Sequence, residues 1–383
     1  MLLGEATHGT SEFYSERARF TERLTQDARP AAIVIEADNS EVERANRYVH
    51  GYGPDRSATA ALSDLRRFPR WMWRNEEFAR FVESLRARNL ERPEDGRVGL
   101  YGMDVYDLYG ALDRARTYLR RQGVKAAAAG DAAARCFAPY RRSTEAFSVA
   151  SRKPSRTCGA AAEALLQVVK DSSPAADAEA AEERFGAILA AASVVHGEAY
   201  FRAAYAGAYS WNVRERAMAA TIEEVAEHAR NGHSEATRVI VWTHNSHAAD
   251  AASTAMVDRG ETSIASLLRE RRIDRVFSMG LLTHAGTVMA ATAWDRPGQI
   301  LRLAPAARGS VEGWLRRLGE VRSILMLRGT DVPAPLGEWR LQRSIGAVFA
   351  AGEPGSAYSR ARLATEFDAV LFVAETRAVT LLP

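Results

Sequence analysis

Two short stretches of the chain carry residues whose types and spacing could do chemistry. The first is Leu3-Gly4-Glu5-Ala6-Thr7-His8-Gly9-Thr10, a glycine-bracketed turn that sets a carboxylate three residues before an imidazole. The second is His244-Asn245-Ser246-His247, two histidines three apart in a chain that has only 8. An imidazole of ordinary pKa, about 6.5, can act as general base on a water molecule, worth roughly 100- to 10,000-fold, if a carboxylate fixes its tautomer. Three histidines with carboxylates could instead hold a divalent metal that activates the same water. Spacing alone leaves both open. Arg17 leans toward the first, because a guanidinium beside a dication is repelled, whereas beside carboxylates it keeps them ionised.

The elements that must position these residues can be read from periodicity. Phe13, Arg17, Phe20 and Leu24 recur on one face of a helix that follows the first turn, so Arg17 sits on an apolar face and needs an acidic partner. Glu5 and Glu36 are the candidates. The run Ala31-Ala32-Ile33-Val34-Ile35-Glu36-Ala37-Asp38 reads as a fully buried parallel strand ending in acids. A helix opens at Ser40, and another is expected from Arg67 to Asn89, where the cluster Trp71 to Glu77 is either core or the wall of a substrate cleft. Val98 to Asp104 is the next strand; Asp104 taken alone reads as a cap for the helix after it. Leu108 to Arg230 is helical throughout, with breaks expected near Gly130, Pro154, Pro174 and the Gly207 to Trp211 bend. Within it, Val213, Ala217 and Ala220 face inward, and Arg214 and Arg216 read from this pattern alone as solvated charges. The sheet resumes at Arg238 to Thr243 and continues with strands at Arg275 to Leu282, Val288 to Ala293, Ser323 to Leu327 and Ala369 to Val373, with a helix at Val311 to Leu318.

Hence the fold expected is α/β: a three-layer, open, mostly parallel sheet formed by residues 1–107 and 236–383, with a large helical insertion over 108–235 read as a lid. In such a sheet Glu5, His8, Glu36, His244 and His247 all fall at the carboxyl ends of strands and face one crevice.

Composition narrows the function. With 383 residues, 47% apolar, 26% charged and a net charge of +3, the chain has a large core and no basic field, so nucleic acid is not expected as a partner. No apolar run is long enough for a bilayer, so no membrane partner is expected either. Cys136 and Cys158 lack metal spacing and suit a reducing cytosol, which gives the expectation of a cytoplasmic protein. No phosphate-cradling glycine loop or Gly-x-Ser-x-Gly elbow occurs, which disfavours nucleotide cofactors and serine acyl-enzymes. Nothing in the residues sets an oligomeric state.

Read together, these pieces resemble the erythromycin esterase family, whose members are also called succinoglycan biosynthesis proteins. The resemblance rests on Gly4 to Phe13 with Arg17, on Ile-Glu-Ala-Asp-Asn at 35–39, Trp-Met-Trp-Arg-Asn-Glu-Glu at 71–77 and Gly-Met-Asp-Val-Tyr at 102–106. It continues with Arg-Glu-Arg-Ala-Met-Ala at 214–219, Trp-Thr-His-Asn-Ser-His at 242–247 and Phe367 to Phe372. Family members usually carry a helix and a longer strand before the Gly-Glu turn, where this chain has three residues, so the expectation is either that the sequence begins late or that the first strand is shortened. The family's Arg-Asp pair is Arg214-Glu215 here. The resemblance implies hydrolysis of an ester, in the best-known members the lactone of macrolide antibiotics, by water and without a metal or other cofactor. It assigns His8 as general base, with Glu5, Arg17, Glu36, His244 and His247 around it.

The resulting expectation is a metal-independent carboxylic ester hydrolase acting on a small molecule, a macrolide lactone being the class tied to antibiotic inactivation. Glu5 or Glu36 orients His8, Arg17 anchors the carboxylates, and His244 stabilises the oxyanion or protonates the leaving alkoxide with His247 in support. Trp71, Arg74, Asp104 and Arg214 are assigned to substrate binding. The alternatives are a metal-dependent peptide or amide hydrolase built on the same cluster, and a non-catalytic binding module of polysaccharide biosynthesis.

Overall fold

A computed structural model of the chain describes residues 1–27, 31–173, 176–204, 208–230, 237–271, 276–351 and 354–383. Ten strands occur among them: β1 (Leu2–Leu3), β2 (Ala31–Asp38), β3 (Gly99–Asp104), β4 (Arg238–Trp242), β5 (Ser278–Ala290), β6 (Gln299–Leu303), β7 (Arg322–Met326), β8 (Arg340–Arg343), β9 (Tyr358–Ala361) and β10 (Ala369–Thr376). The main sheet runs β3-β2-β4-β1-β5-β10-β7, with β6 added to β5. Every pair from β3 to β10 is parallel; β7 and β6 are antiparallel additions. Every residue of β2 and of β3 is buried. Such continuous burial requires cover on both faces of the sheet, which makes the chain an α/β protein with helical layers on either side.

β1 has only two residues, yet it lies between β4 and β5, with Leu2 beside Val241 and Ser278. Its extended path continues past Leu3. Gly4 N–H donates to Met279 O at 2.8 Å, Ala6 N–H to Leu281 O at 2.9 Å, and Asn245 N–H to Glu5 O at 2.8 Å. Glu5 is therefore fixed by backbone bonds on both sides despite the short strand. Gly9 is required by close approach, since a Cβ there would stand 2.0 Å from Met289 O.

Three expectations need correction. The stretch from Arg67 to Asn89 is not one helix: Pro69 and a 3-10 turn at Arg70–Met72 precede a helix that starts at Glu76, where Asn75 Oδ1 accepts from Phe78 N–H at 2.7 Å. The two strands expected at Arg275 to Leu282 and Val288 to Ala293 are one, because Thr283 to Gly286 stays paired with β10, Gly286 at φ +130° lying against Thr376. Cys136 and Cys158, taken as free thiols of a reducing cytosol, form a disulfide between the helices Val124–Phe137 and Gly159–Lys170. Disulfides persist in oxidising surroundings, so the cysteines no longer support a cytoplasmic location. Among the described residues no helix is long and apolar enough to cross a membrane. The small β8–β9 pair was not anticipated, and Pro174, Gly207, Arg275 and the 235–236 boundary lie outside the described residues.

The helices between Leu108 and Phe201 enclose an apolar cluster of their own, including Leu112, Phe137, Phe147 and Leu165. The helix Ala208–Arg230 differs: it packs on β2, β3 and β4 and carries Arg214 to the sheet's carboxyl edge.

Candidate active site

The turn after β1 builds the first half of the site. Glu5 Oε1 lies 3.0 Å from His8 Nδ1, and Glu5 Oε2 lies 2.7 Å from Arg17 Nη2. Glu5 and Arg17 are fully buried and His8 is 7% exposed. The Glu5 carboxylate makes Nδ1 the protonated nitrogen and leaves the Nε2 lone pair free. The Arg17 contact is an ion pair rather than an aligned hydrogen bond, and its Nε and Nη1 have no acceptor among the described residues. The guanidinium carbon instead lies 4.6 Å from the centroid of the Tyr14 ring and 4.9 Å from that of Trp242. Those faces offer the cation partial compensation. Tyr14 in turn donates to His8 O at 3.0 Å and to Met72 O, tying the helix to the turn it serves.

The second half is an ionic cluster under β2 and β4. Glu36 Oε2 accepts from Thr243 Oγ1 at 2.7 Å and from His244 N–H at 2.8 Å; Oε1 faces Arg214 Nη2 at 3.0 Å and His247 Nε2 at 3.1 Å. Burial alone would raise this carboxyl, but the charges of His247 and Arg214 outweigh it and hold Glu36 well below the usual range. His247 is buried, which opposes its charge, yet Glu215 at 2.5 Å on Nδ1 and Glu36 on Nε2 raise it to about 10. It is an imidazolium with both N–H groups donating, stacked on Trp211 at 5.0 Å between centroids. Arg214 also bridges Asp104, with Nε 2.8 Å from Oδ1 and Nη2 2.7 Å from Oδ2.

His244 is held differently from His8. Its Nδ1 accepts from Ser246 N–H at 3.2 Å, which requires an unprotonated nitrogen, and burial with the nearby His8 lowers the ring to about 3. The His8 and His244 centroids are 4.9 Å apart. His244 is thus a neutral ring packed beside the base, its Nε2 buried without a hydrogen-bond partner among the described residues.

His8 opens into a cavity of about 170 Å³ whose lining also includes Glu36, Asp38, Arg67, Asp104 and Arg214. Phe68 and Trp294, 4.8 Å apart between centroids, form its apolar wall. Neither His244 nor His247 lines it. Trp71 and Arg74, assigned to substrate binding, line a neighbouring depression of about 500 Å³ instead, and Arg74 Nη2 donates to Pro383 O at 2.8 Å. Asp104 and Arg214 are in the cleft but are engaged with each other. Arg214, read from its helix as solvated, is 8% exposed, whereas Arg216 is exposed as expected. Glu215, named from sequence only as half of the family's Arg-Asp pair, carries no assigned role there, although two adjacent charges on a helix that packs on a sheet can both be buried only if partners await them. Asp104 does not cap the following helix; Asp107 does, accepting from Gly110 N–H at 3.1 Å.

Among the described residues no three His, Cys, Asp or Glu side chains group as a metal site. Both nitrogens of His247 and Nδ1 of His8 face carboxylates, and Arg17 and Arg214 pair with Glu5 and Glu36.

Comparison with known proteins agrees with the fold. Solved structures of similar fold include a succinoglycan biosynthesis protein, at 18% identity and a TM-score of 0.76, covering 100% of this chain and 88% of that one. A protein from Bacillus cereus aligns at 17% identity and 0.77, covering 100% and 90%. The erythromycin esterase EreC, a mutant in its open conformation, aligns at 14% identity and 0.66, covering 98% and 90%. At these identities the likeness bears on the fold. The family model described as erythromycin esterase matches residues 31–376, which span Glu36, Asp104, Arg214, His244 and His247. The chain belongs to the erythromycin esterase family.

Proposed function

We propose that the protein hydrolyses a carboxylic ester of a small molecule, with His8 as the general base that activates water. One observation carries this reading: an imidazole whose Nδ1 is held by a buried carboxylate at 3.0 Å lines a cleft, with Nε2 left to take a proton. Glu5 is the orienting carboxylate, since both oxygens of Glu36 are already engaged. Arg17 pairs with the other oxygen of Glu5. Glu36 and Glu215 keep His247 charged, and Glu36 with Asp104 fixes Arg214 in the lining of the cleft.

The size of the cleft bears on the substrate. At about 170 Å³ it is smaller than the roughly 300–1,000 Å³ usual for ligand sites. A short-chain ester enters such a cleft directly, whereas a macrolactone needs the Phe68–Trp294 wall to move. Assaying purified protein against short alkyl and aryl esters and macrolactones, with and without chelator, tests the proposal. Turnover that survives chelator and exceeds that of His8→Ala is expected; binding without any turnover would favour the binding-module reading.

A further inference from the structure

The cleft holds a second carboxyl group that neither the base nor the Glu36 cluster uses. Asp38 ends β2 two residues beyond Glu36, is 7% exposed and lines the same cavity as His8. The register of β2 on β3 sets it directly beside Asp104, so two buried carboxyl groups are neighbours. Their partners differ. Asp104 is bridged by two nitrogens of Arg214, whereas Asp38 accepts from Asp107 N–H at 2.7 Å on Oδ1 and has only the partly exposed Arg67, Nε 3.0 Å from Oδ2.

The charged groups around Asp38 come from every element packed on it: Glu36 on its own strand, Glu41 on the next helix, Arg67, Asp104 and Asp107 at the end of β3, Arg214, and His8 across the cleft. Burial dominates and, with the charges of Asp104 and Asp107, outweighs Arg67, so that the carboxyl is pushed up to about 8. Neighbouring carboxyl groups whose surroundings divide them in this way are the usual construction of an acid beside an ionised partner. The reaction has need of one. An alkoxide is a strongly basic leaving group, and Asp38 lines the cleft with His8 whereas His244 does not.

We propose that Asp38 is the general acid of this site and protonates the alkoxide released from the ester. The proposal rests on the reading of His8 as base. The oxygen of water bonds to the acyl carbon as His8 Nε2 takes one of its protons and the carbonyl π pair moves onto the carbonyl oxygen, from which it returns as the leaving group departs. The acyl carbon–oxygen bond then breaks, its electron pair stays on the leaving oxygen, and that oxygen takes the proton of Asp38. Transfer of the proton from His8 to Asp38 through solvent resets both groups, and the product acid ionises. The sum is ester plus water giving carboxylate, alcohol and one proton.

An alkyl ester and an activated aryl ester of the same acid form the probe pair, because a stabilised phenolate leaves without a proton. In the unmutated enzyme, kcat/KM for the alkyl ester should fall at alkaline pH as Asp38 loses its proton, while the aryl ester shows no such limb. Asp38→Asn should lower the alkyl-to-aryl ratio of kcat/KM by about 100-fold or more. Arg67→Gln keeps the carboxyl and removes the cation that favours its ionised form, so the alkaline limb should move to higher pH; this variant serves if Asp38→Asn does not fold. An unchanged ratio in Asp38→Asn, or no alkaline limb for the alkyl ester, would overturn the acid role while leaving His8 as base. If the unmutated enzyme turns over neither ester, the base reading falls and the acid with it.

Discussion

Glu215 Oε1 stands 2.5 Å from His247 Nδ1, and the other oxygen of the same carboxylate accepts from Ile264 N–H at 2.8 Å. One side chain thus ties the helix Ala208–Arg230 both to the turn after β4 and to the start of the helix Ile264–Glu270. The pH dependence follows from the sign of the His247 shift. Its folded pKa, about 10, lies above its ordinary value of 6.5, so the stabilisation is complete below about 6.5 and is lost as pH rises toward 10. Thermal unfolding should show Tm falling across that window, and Glu215→Gln should flatten the fall. A Tm–pH curve of the same slope in the variant would mean that His247 is not held charged by this contact.

Arg17 is the cation on which Glu5 depends. Arg17→Ala leaves a buried carboxylate without its partner and should cost on the order of 3 kcal/mol in denaturant unfolding. Arg17→Lys should not restore it, because an ammonium lacks the flat face that lies over Tyr14 and Trp242. Stability equal to the unmutated chain in either variant would show that the pair is not a support.

Arg214 neutralises two strand ends at once. Arg214→Met should orphan both Glu36 and Asp104 and destabilise by about 3–5 kcal/mol. The double variant Arg214→Met with Asp104→Asn should recover part of that loss, which a double-mutant cycle would read as a coupling energy. Strictly additive losses would separate the two residues.

The strands and their terminal acids were legible because a buried parallel strand is a continuous apolar run. Glu36 and Asp104 were found this way, at the ends of β2 and β3. Arg17 was legible because a charge on an apolar helix face demands a partner, and Glu5 is that partner. What sequence could not supply was contact between distant elements. Arg214 meets Asp104 across 110 positions, and its own helix pattern is that of a solvated residue. Local punctuation misled in the other direction: Thr-His-Ala-Gly at 283–286 reads as a turn, yet pairing with β10 carries it straight through. The use of His244 Nδ1 as a cap acceptor appears only in the structure.

Glu5→Gln keeps the shape of the turn but lets the amide present either its donor or its acceptor to His8 Nδ1. If Glu5 sets the tautomer, kcat/KM for an accepted ester should fall roughly 100- to 10,000-fold with little change in KM. A rise in KM with kcat unchanged would instead make Glu5 a binding residue.

The central claim is that His8 takes the proton of water without a metal. Its most direct test is kcat/KM for an activated aryl ester, measured across pH on protein dialysed against chelator, in the unmutated enzyme and in His8→Ala. The account predicts one limb rising with pH in the unmutated enzyme, and activity near background in His8→Ala that added zinc does not restore. Full activity in His8→Ala, or loss of activity on chelation with recovery on metal addition, would contradict it.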